Sequence, residues 1–132
     1  MAVKPLETLT SPKESSRNYR DLLVWQKGID LVVEIYLLTR KFPKEEMYAL
    51  KTQIQRAAVS VPSNIAEGQA RGALPSEFAR FLRLSLGSLA EIDTQLELAI
   101  RLSYLSTAEV DKAKNLVLEL RKMLFGLINS LK

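Results

Sequence analysis

The stretch "RAAVSVPSNIAEGQAR", residues Arg56 to Arg71, decides how the chain folds. Ala57, Val61 and Ile65 stand four apart, the spacing of one helix face. Pro62 interrupts them, where a helix loses a hydrogen bond and the proline ring crowds the carbonyl four residues back. Working outward, Met47, Leu50, Ile54, Ala57, Ala58, Val61, Ile65 and Gly68 keep one phase straight through the proline. That register favours one long helix kinked at Pro62, with the freed Ala58 carbonyl tolerated because both flanks stay packed. The alternative is two helices, the second capped by Asn64 with Glu67 returning the capping hydrogen bond. Opposite the core lie Arg56, Ser60, Ser63 and Glu67, with Asn64 at the edge. Such short polar groups suit backbone satisfaction near the kink or a hydrogen bond to a neighbouring subunit, both structural roles.

The rest of the chain repeats the helical period. Residues 1–18 carry two prolines, many hydroxyl side chains and no apolar repeat, and read as a flexible N-terminal tail. Four helical segments follow, about 20–42, 44–70, 75–104 and 107–131, separated by the short breaks "FPKEE", "RGALPSE" and "YLSTAE". Pro43 and Pro75 suit the first turn of a following helix, and Ser106 with Glu109 spells a capping box. In the last helix Val110, Ala113, Val117, Leu120, Leu124, Leu127 and Leu131 form one apolar seam at alternating steps of three and four. Short links between helices of similar length make neighbours antiparallel. The expected fold is all-α: an up-down-up-down four-helix bundle of residues 19–132 with its second helix kinked at Pro62.

Composition excludes much chemistry. The 132 residues contain neither cysteine nor histidine. Thiol nucleophiles, disulfides, imidazole bases and the usual zinc, haem and di-iron ligand sets are therefore out of reach, and no cofactor or metal site is expected. No secretory or membrane-spanning run is present, so a cytoplasmic protein without a membrane partner is the expectation. The net charge of +4 is mild and spread along the chain, which permits nucleic-acid binding without demanding it.

The first helix carries two apolar stripes. Leu22, Trp25, Ile29, Val32 and Tyr36 line one side, and Val24, Leu31, Ile35, Leu38 and Phe42 a second. One bundle buries one broad stripe per helix, so the second set is expected at a subunit interface. The third helix points its Phe78, Phe81, Leu82, Ser85, Leu89, Ile92, Leu96 and Ala99 to the core. Behind them Arg83, Gly87, Ala90 and Thr94 are small enough, apart from the arginine, to admit another helix. A subunit contact is the preferred reading of that face, and chance on a solvated surface the alternative. Arg56, Ser60, Ser63 and Glu67 complete the set of interface candidates.

Several motifs in these helices resemble a known family. They are Leu23–Gln26 (LVWQ), Phe42-Pro43 with Glu46 and Tyr48, Gln53 with Arg56-Ala57-Ala58, the block "SVPSNIAEG" at Ser60–Gly68, and Gly87-Ser88-Leu89 leading to Thr94-Gln95-Leu96. The sequence is similar, densely over residues 19–105 and loosely after, to the four-helix bundle proteins encoded within intervening sequences of bacterial 23S ribosomal RNA genes. A related branch contains the accessory variability proteins of diversity-generating retroelements. The resemblance implies a barrel-like homopentamer with a basic surface that can hold RNA or DNA, and in the retroelement branch a reverse transcriptase partner. The sequence departs from the family at Gly28 and Ala49, where alanine and glycine are expected, and at Gln69-Ala70.

An enzyme is not expected. The carboxylates Glu45, Glu46, Glu67, Glu91, Asp93 and Glu97 are accounted for by helix starts, exposed faces or, for Asp93, a polar contact to another helix. Gly68 and Gly72 form no phosphate loop, and no small-molecule substrate is expected. Candidate phosphate contacts are Arg17, Arg20, Lys27, Lys51, Arg56, Arg71, Arg80 and Arg83. A homopentamer would multiply +4 per chain to about +20. Trp25, the single tryptophan, can stack on a base, but its apolar stripe makes core packing the preferred reading. Trp25, Pro62, Asn64 and Gly68 are thus structural candidates. The functional expectation is an oligomeric nucleic-acid-binding or reverse-transcriptase accessory protein; the alternative is a structural or protein-interaction scaffold.

Overall fold

Pro62 does not end its helix. In the computed structural model, which describes residues 18–71 and 74–132, one continuous helix runs Leu50–Arg71 with Pro62 buried inside it. We call this α2; the other helices are α1 (Leu23–Thr39), α3 (Pro75–Arg101) and α4 (Asp111–Ser130). Residues 1–17 of the expected tail, with Arg17, and Gly72 lie outside the described residues. Asn18, assigned to the tail, instead accepts the Arg20 N–H at 3.0 Å and caps a 3-10 turn, Tyr19–Asp21. The helices are shorter than their apolar patterns suggested. Residues 44–49 form a 3-10 turn and turns before α2, which leaves Met47 exposed. Ser106 and Glu109 do make reciprocal capping bonds of 2.8 and 3.1 Å, two residues ahead of α4.

Pairwise contacts fix the directions. Gly28 meets Pro62 and Thr39 meets Gln55, so numbering rises along α1 as it falls along α2. Gly68 against Phe81 and Ser60 against Ser88 make α2 and α3 antiparallel. Lys27 pairs with Glu119 and Glu34 with Lys112, so α4 runs opposite to α1. Each helix packs on its sequence neighbour and α4 closes onto α1, giving the up-down-up-down order. Isolated exposed pairs of this kind contribute little, about 0–1 kcal/mol each; the apolar seams hold the bundle. Val110, Ala113, Val117, Leu120 and Leu124 are buried as the last helix's spacing required, while Leu127 and Leu131 are half-buried.

The stripes of α1 are exchanged relative to expectation. Val24, Leu31, Ile35, Leu38 and Phe42, assigned to a subunit interface, are buried in the chain's own core. Leu22, Trp25 and Val32 are half-buried at its edge, and Ile29 and Tyr36 stand 38% and 43% exposed. The reason is Gly28. Only its side of α1 lacks a Cβ, so only there can α2 come close, and α1 turns that side inward. A Cβ at Gly28 would lie 3.3 Å from the Pro62 Cβ, close enough that the alanine expected at this position demands a shift of a few tenths of an ångström. At Gly68 the approach is tighter: a Cβ would stand 2.6 Å from the Phe81 Cβ.

Hydroxyl groups line the seam between α2 and α3. Ser85 Oγ donates to the Val61 carbonyl at 2.9 Å, and the Ser60 and Ser88 hydroxyls share a hydrogen bond. Ser60, placed with a subunit interface from sequence, is therefore half-buried against its own α3. Asn64 Nδ2 donates to the Ser60 carbonyl at 2.8 Å. Among the described residues no side-chain bond reaches the Ala58 carbonyl; the polar groups around Pro62 tie neighbouring turns and helices instead.

The far end of the bundle is closed by side chains. Tyr104 donates to Glu46 Oε2 at 2.5 Å, which raises the phenol's pKa, and Glu46 Oε1 accepts the Leu50 N–H at 3.2 Å. Lys41, donating at 2.5 Å, and the Ser106 N–H hold the Glu109 carboxyl below its ordinary range.

Replacing Gly68 by Ala is expected to destabilise the chain by about 1–3 kcal/mol, because the Phe81 Cβ cannot swing aside. Gly87→Ala, with nothing within 4 Å of the added methyl, gains up to about 1 kcal/mol of helix propensity. Urea unfolding of the two variants checks the contrast. Glu109, with a depressed folded pKa, stabilises above its ordinary value of 4.5 and loses that contribution as pH falls below it. Stability of Glu109→Gln is expected to decline less steeply over that acid limb than that of the natural sequence, as followed by circular dichroism.

Candidate nucleic-acid interface

Antiparallel order decides which cations meet. The start of α1, the end of α2, the start of α3 and the end of α4 share one end of the bundle. Arg20, Arg71, Arg80 and Arg83 gather there from the 3-10 turn, α2 and α3, joined by Lys132, which the sequence reading passed over. The carboxylates of that end are Asp21, Glu67 and Glu77. Two of the cations are paired within their own helices: Arg71 Nε is 3.4 Å from Glu67 and Arg80 is 3.0 Å from Glu77. Their guanidinium groups flank Phe81, at 5.9 and 4.6 Å from the ring centre. Phe81 is buried, so its ring anchors the two arginines rather than offering a free face. Arg83 carries no ion pair among the described residues and borders a shallow groove with Ser76, Ile128 and Lys132.

The remaining candidates lie elsewhere. Lys27 is 3.2 Å from Glu119 of α4, half-buried. Lys51 begins α2 and so belongs to the opposite end. Arg56 is exposed midway along α2, beside a cleft formed with Tyr36, Thr52, Gln55 and Ser60. It does not meet Glu67, whose partner is Arg71. Asp93 makes the cross-helix contact expected of it, 3.2 Å to Lys114, but on an exposed face. Spacing of three and four could have flagged the Glu67–Arg71 and Glu77–Arg80 pairs; convergence of three elements requires the topology.

Among the interface candidates, Ser63, Glu67, Arg83, Gly87, Ala90 and Thr94 are exposed, as is Arg56. Ala90 and Thr94 border a groove of about 430 Å³ between α3 and α4, with Leu118 and Arg121 on its other bank. Leu118 is about half exposed there, and Phe125, two turns further along α4, is exposed to a similar degree. Across the bundle, α1 exposes Ile29, Val33, Tyr36 and Leu37. No helix among the described residues is long and apolar enough to cross a membrane.

Fold and surface define an antiparallel four-helix bundle that brings arginines of three elements to one end and exposes apolar side chains on α1 and α4. The chain belongs to the 23S rRNA-intervening sequence protein family, which it matches over residues 20–126. A crystal structure of a protein of unknown function from the S23 ribosomal protein family of Bacteroides thetaiotaomicron is similar, at 25% identity and a TM-score of 0.73. The match covers 80% of this chain and 98% of that one. No curated protein matches the sequence significantly.

The basic end is separable from the fold. Arg80→Ala, which removes one exposed ion pair and one cation–π contact, is expected to cost no more than about 1 kcal/mol in chemical unfolding.

Proposed function

We infer that this chain is a non-enzymatic, self-associating bundle that binds RNA or DNA through its cation-rich end. The observation that carries the reading is the convergence of Arg20, Arg71, Arg80 and Arg83, distant in sequence, on one end of the bundle. Phosphate contacts need clustered cations and tolerate any base sequence, which suits a group of exposed arginines better than a shaped pocket. Surface pairing of Arg71 and Arg80 does not disqualify them, since exposed ion pairs are weak and exchange readily for a phosphate.

Self-association rests on the apolar faces. In a four-cornered bundle α1 and α3 occupy opposite corners, so the Ile29–Tyr36 stripe and the Ala90–Thr94 groove look in opposite directions. A contact between two unlike faces is head-to-tail, and such contacts close into rings or run into filaments. The family resemblance points to a ring of five. A ring with bundle axes roughly along its symmetry axis would collect every basic end on one rim and multiply a weak patch into a strong field. The same rim would serve a cytoplasmic accessory of a reverse transcriptase or a protein encoded within a ribosomal RNA intervening sequence.

Labelled structured RNA and DNA, titrated across a salt series alongside light scattering, test the reading. Affinity is expected to fall linearly with salt on logarithmic axes, and Arg83→Glu to weaken binding where Lys51→Glu, at the other end, does not. Val33→Asp is expected to shift the mass toward one chain. Absence of binding at about 50 mM salt leaves the scaffold reading in its place.

A further inference from the structure

At the basic end one cation differs from the rest: Arg20 lies on aromatic rings that border a groove. Its guanidinium carbon sits 5.4 Å from the Trp25 ring centre and 5.8 Å from that of Tyr19. The two rings are 5.4 Å apart and tilted by 57°. Both are half-buried, and together with Val59, Pro62, Ser63 and Ala66 of α2 they border a groove of about 250 Å³. Arg20 has no carboxylate partner among the described residues.

The backbone here is held while the side chain is not. Asn18 Oδ1 accepts the Arg20 N–H at 3.0 Å, and Gln26 Nε2 donates to the Arg20 carbonyl at 2.9 Å. Both polar groups of one peptide position are therefore clamped, which fixes Tyr19 beside Trp25 before any ligand arrives. A planar cation resting on an indole marks a face on which another flat, electron-poor group can rest. Core packing alone explains neither the clamp nor the arginine.

Building on the nucleic-acid reading above, we propose that Tyr19 and Trp25 form a stacking site for an unpaired nucleobase, with Arg20 turning from the rings to the adjoining phosphate when the base enters. The ligand class is single-stranded nucleic acid or an unpaired nucleotide in a folded one. A paired base keeps its faces within the helical stack and cannot use the site. Arg71 and Arg80, at the same end, would hold flanking phosphates. The groove is lined mainly by apolar side chains, with the Ser63 hydroxyl as its one polar group besides those of the two rings, so little base preference is expected.

Trp25 is the single tryptophan, so its fluorescence reports this site alone. The full chain is titrated at about 50 mM salt with an oligothymidylate of about 15 nucleotides and with a blunt duplex of equal length. Saturable quenching of Trp25 by the single strand is expected, with affinity about tenfold above that for the duplex. Tyr19→Ala is expected to lose about tenfold in single-strand affinity while Tyr19→Phe, which keeps the ring, retains it; circular dichroism confirms that both fold. The stacking site is overturned if an end-labelled single strand binds by anisotropy while Trp25 emission stays unchanged, if the duplex binds equally well, or if a folded Tyr19→Ala loses nothing. In each of those outcomes the phosphate-binding reading survives. If neither strand nor duplex binds, both readings fall together.

Discussion

The closeness of α2 to its two neighbours is the constraint on which the bundle depends. On one side the Pro62 ring lies against Gly28; on the other Gly68 lies against Phe81. A proline inside a helix gives up a backbone hydrogen bond, and what offsets the loss is burial along the whole length of α2 from Ile54 to Gln69. Burial at that density needs short interaxial distances, and the two glycines provide them where the side chains are otherwise bulky. The hydroxyl contacts of Ser60, Ser85 and Ser88 then fix the longitudinal register, because sliding α2 along α3 would strand polar groups in a dry seam. Helix order follows from that pairing, and the meeting of the arginines follows from helix order.

Much of this was legible in the sequence. The apolar phase held by Ala57, Val61, Ile65 and Gly68 gave the continuous helix, because periodicity reports burial more directly than a single proline reports disruption. The inward face of α3 was legible for the same reason. The face of α1 was not, since a helix apolar on two sides satisfies the core criterion twice. A finer signal was nonetheless present: Val24, Gly28, Leu31, Ile35, Leu38 and Phe42 alternate in steps of four and three without a break, provided the glycine is counted as a packing residue. Treating Gly28 as neutral hid the true seam. Of the stripe assigned to the core, Ile29 and Tyr36 are exposed instead, with Val33 and Leu37 beside them.

The candidate site was less legible. Each arginine could be named but not grouped, because grouping is a property of chain direction and of the turns between helices. Tyr19 escaped notice for a related reason. It precedes the first helix, in a turn created by side chains of Asn18 and Gln26 on either side of it, and such local capping leaves no periodic trace. Lys114, bridging to Asp93 and Glu97 at 3.2 and 3.7 Å, shows the opposite case, where charges conspicuous in sequence turn out to neutralise one another across α3 and α4.

The contact between Gly68 and Phe81 has a bearing on how such a chain can vary over evolutionary time. The two positions share one volume. A larger residue at 68 fits only if the residue at 81 retreats, and the Cβ involved belongs to every amino acid except glycine, so retreat means glycine there or a wider spacing of two whole helices. Drift at this pair is therefore close to forbidden in single steps. At Gly28 and Pro62 the shortfall is only a few tenths of an ångström, so a slight parting of the two helices would admit one methyl group.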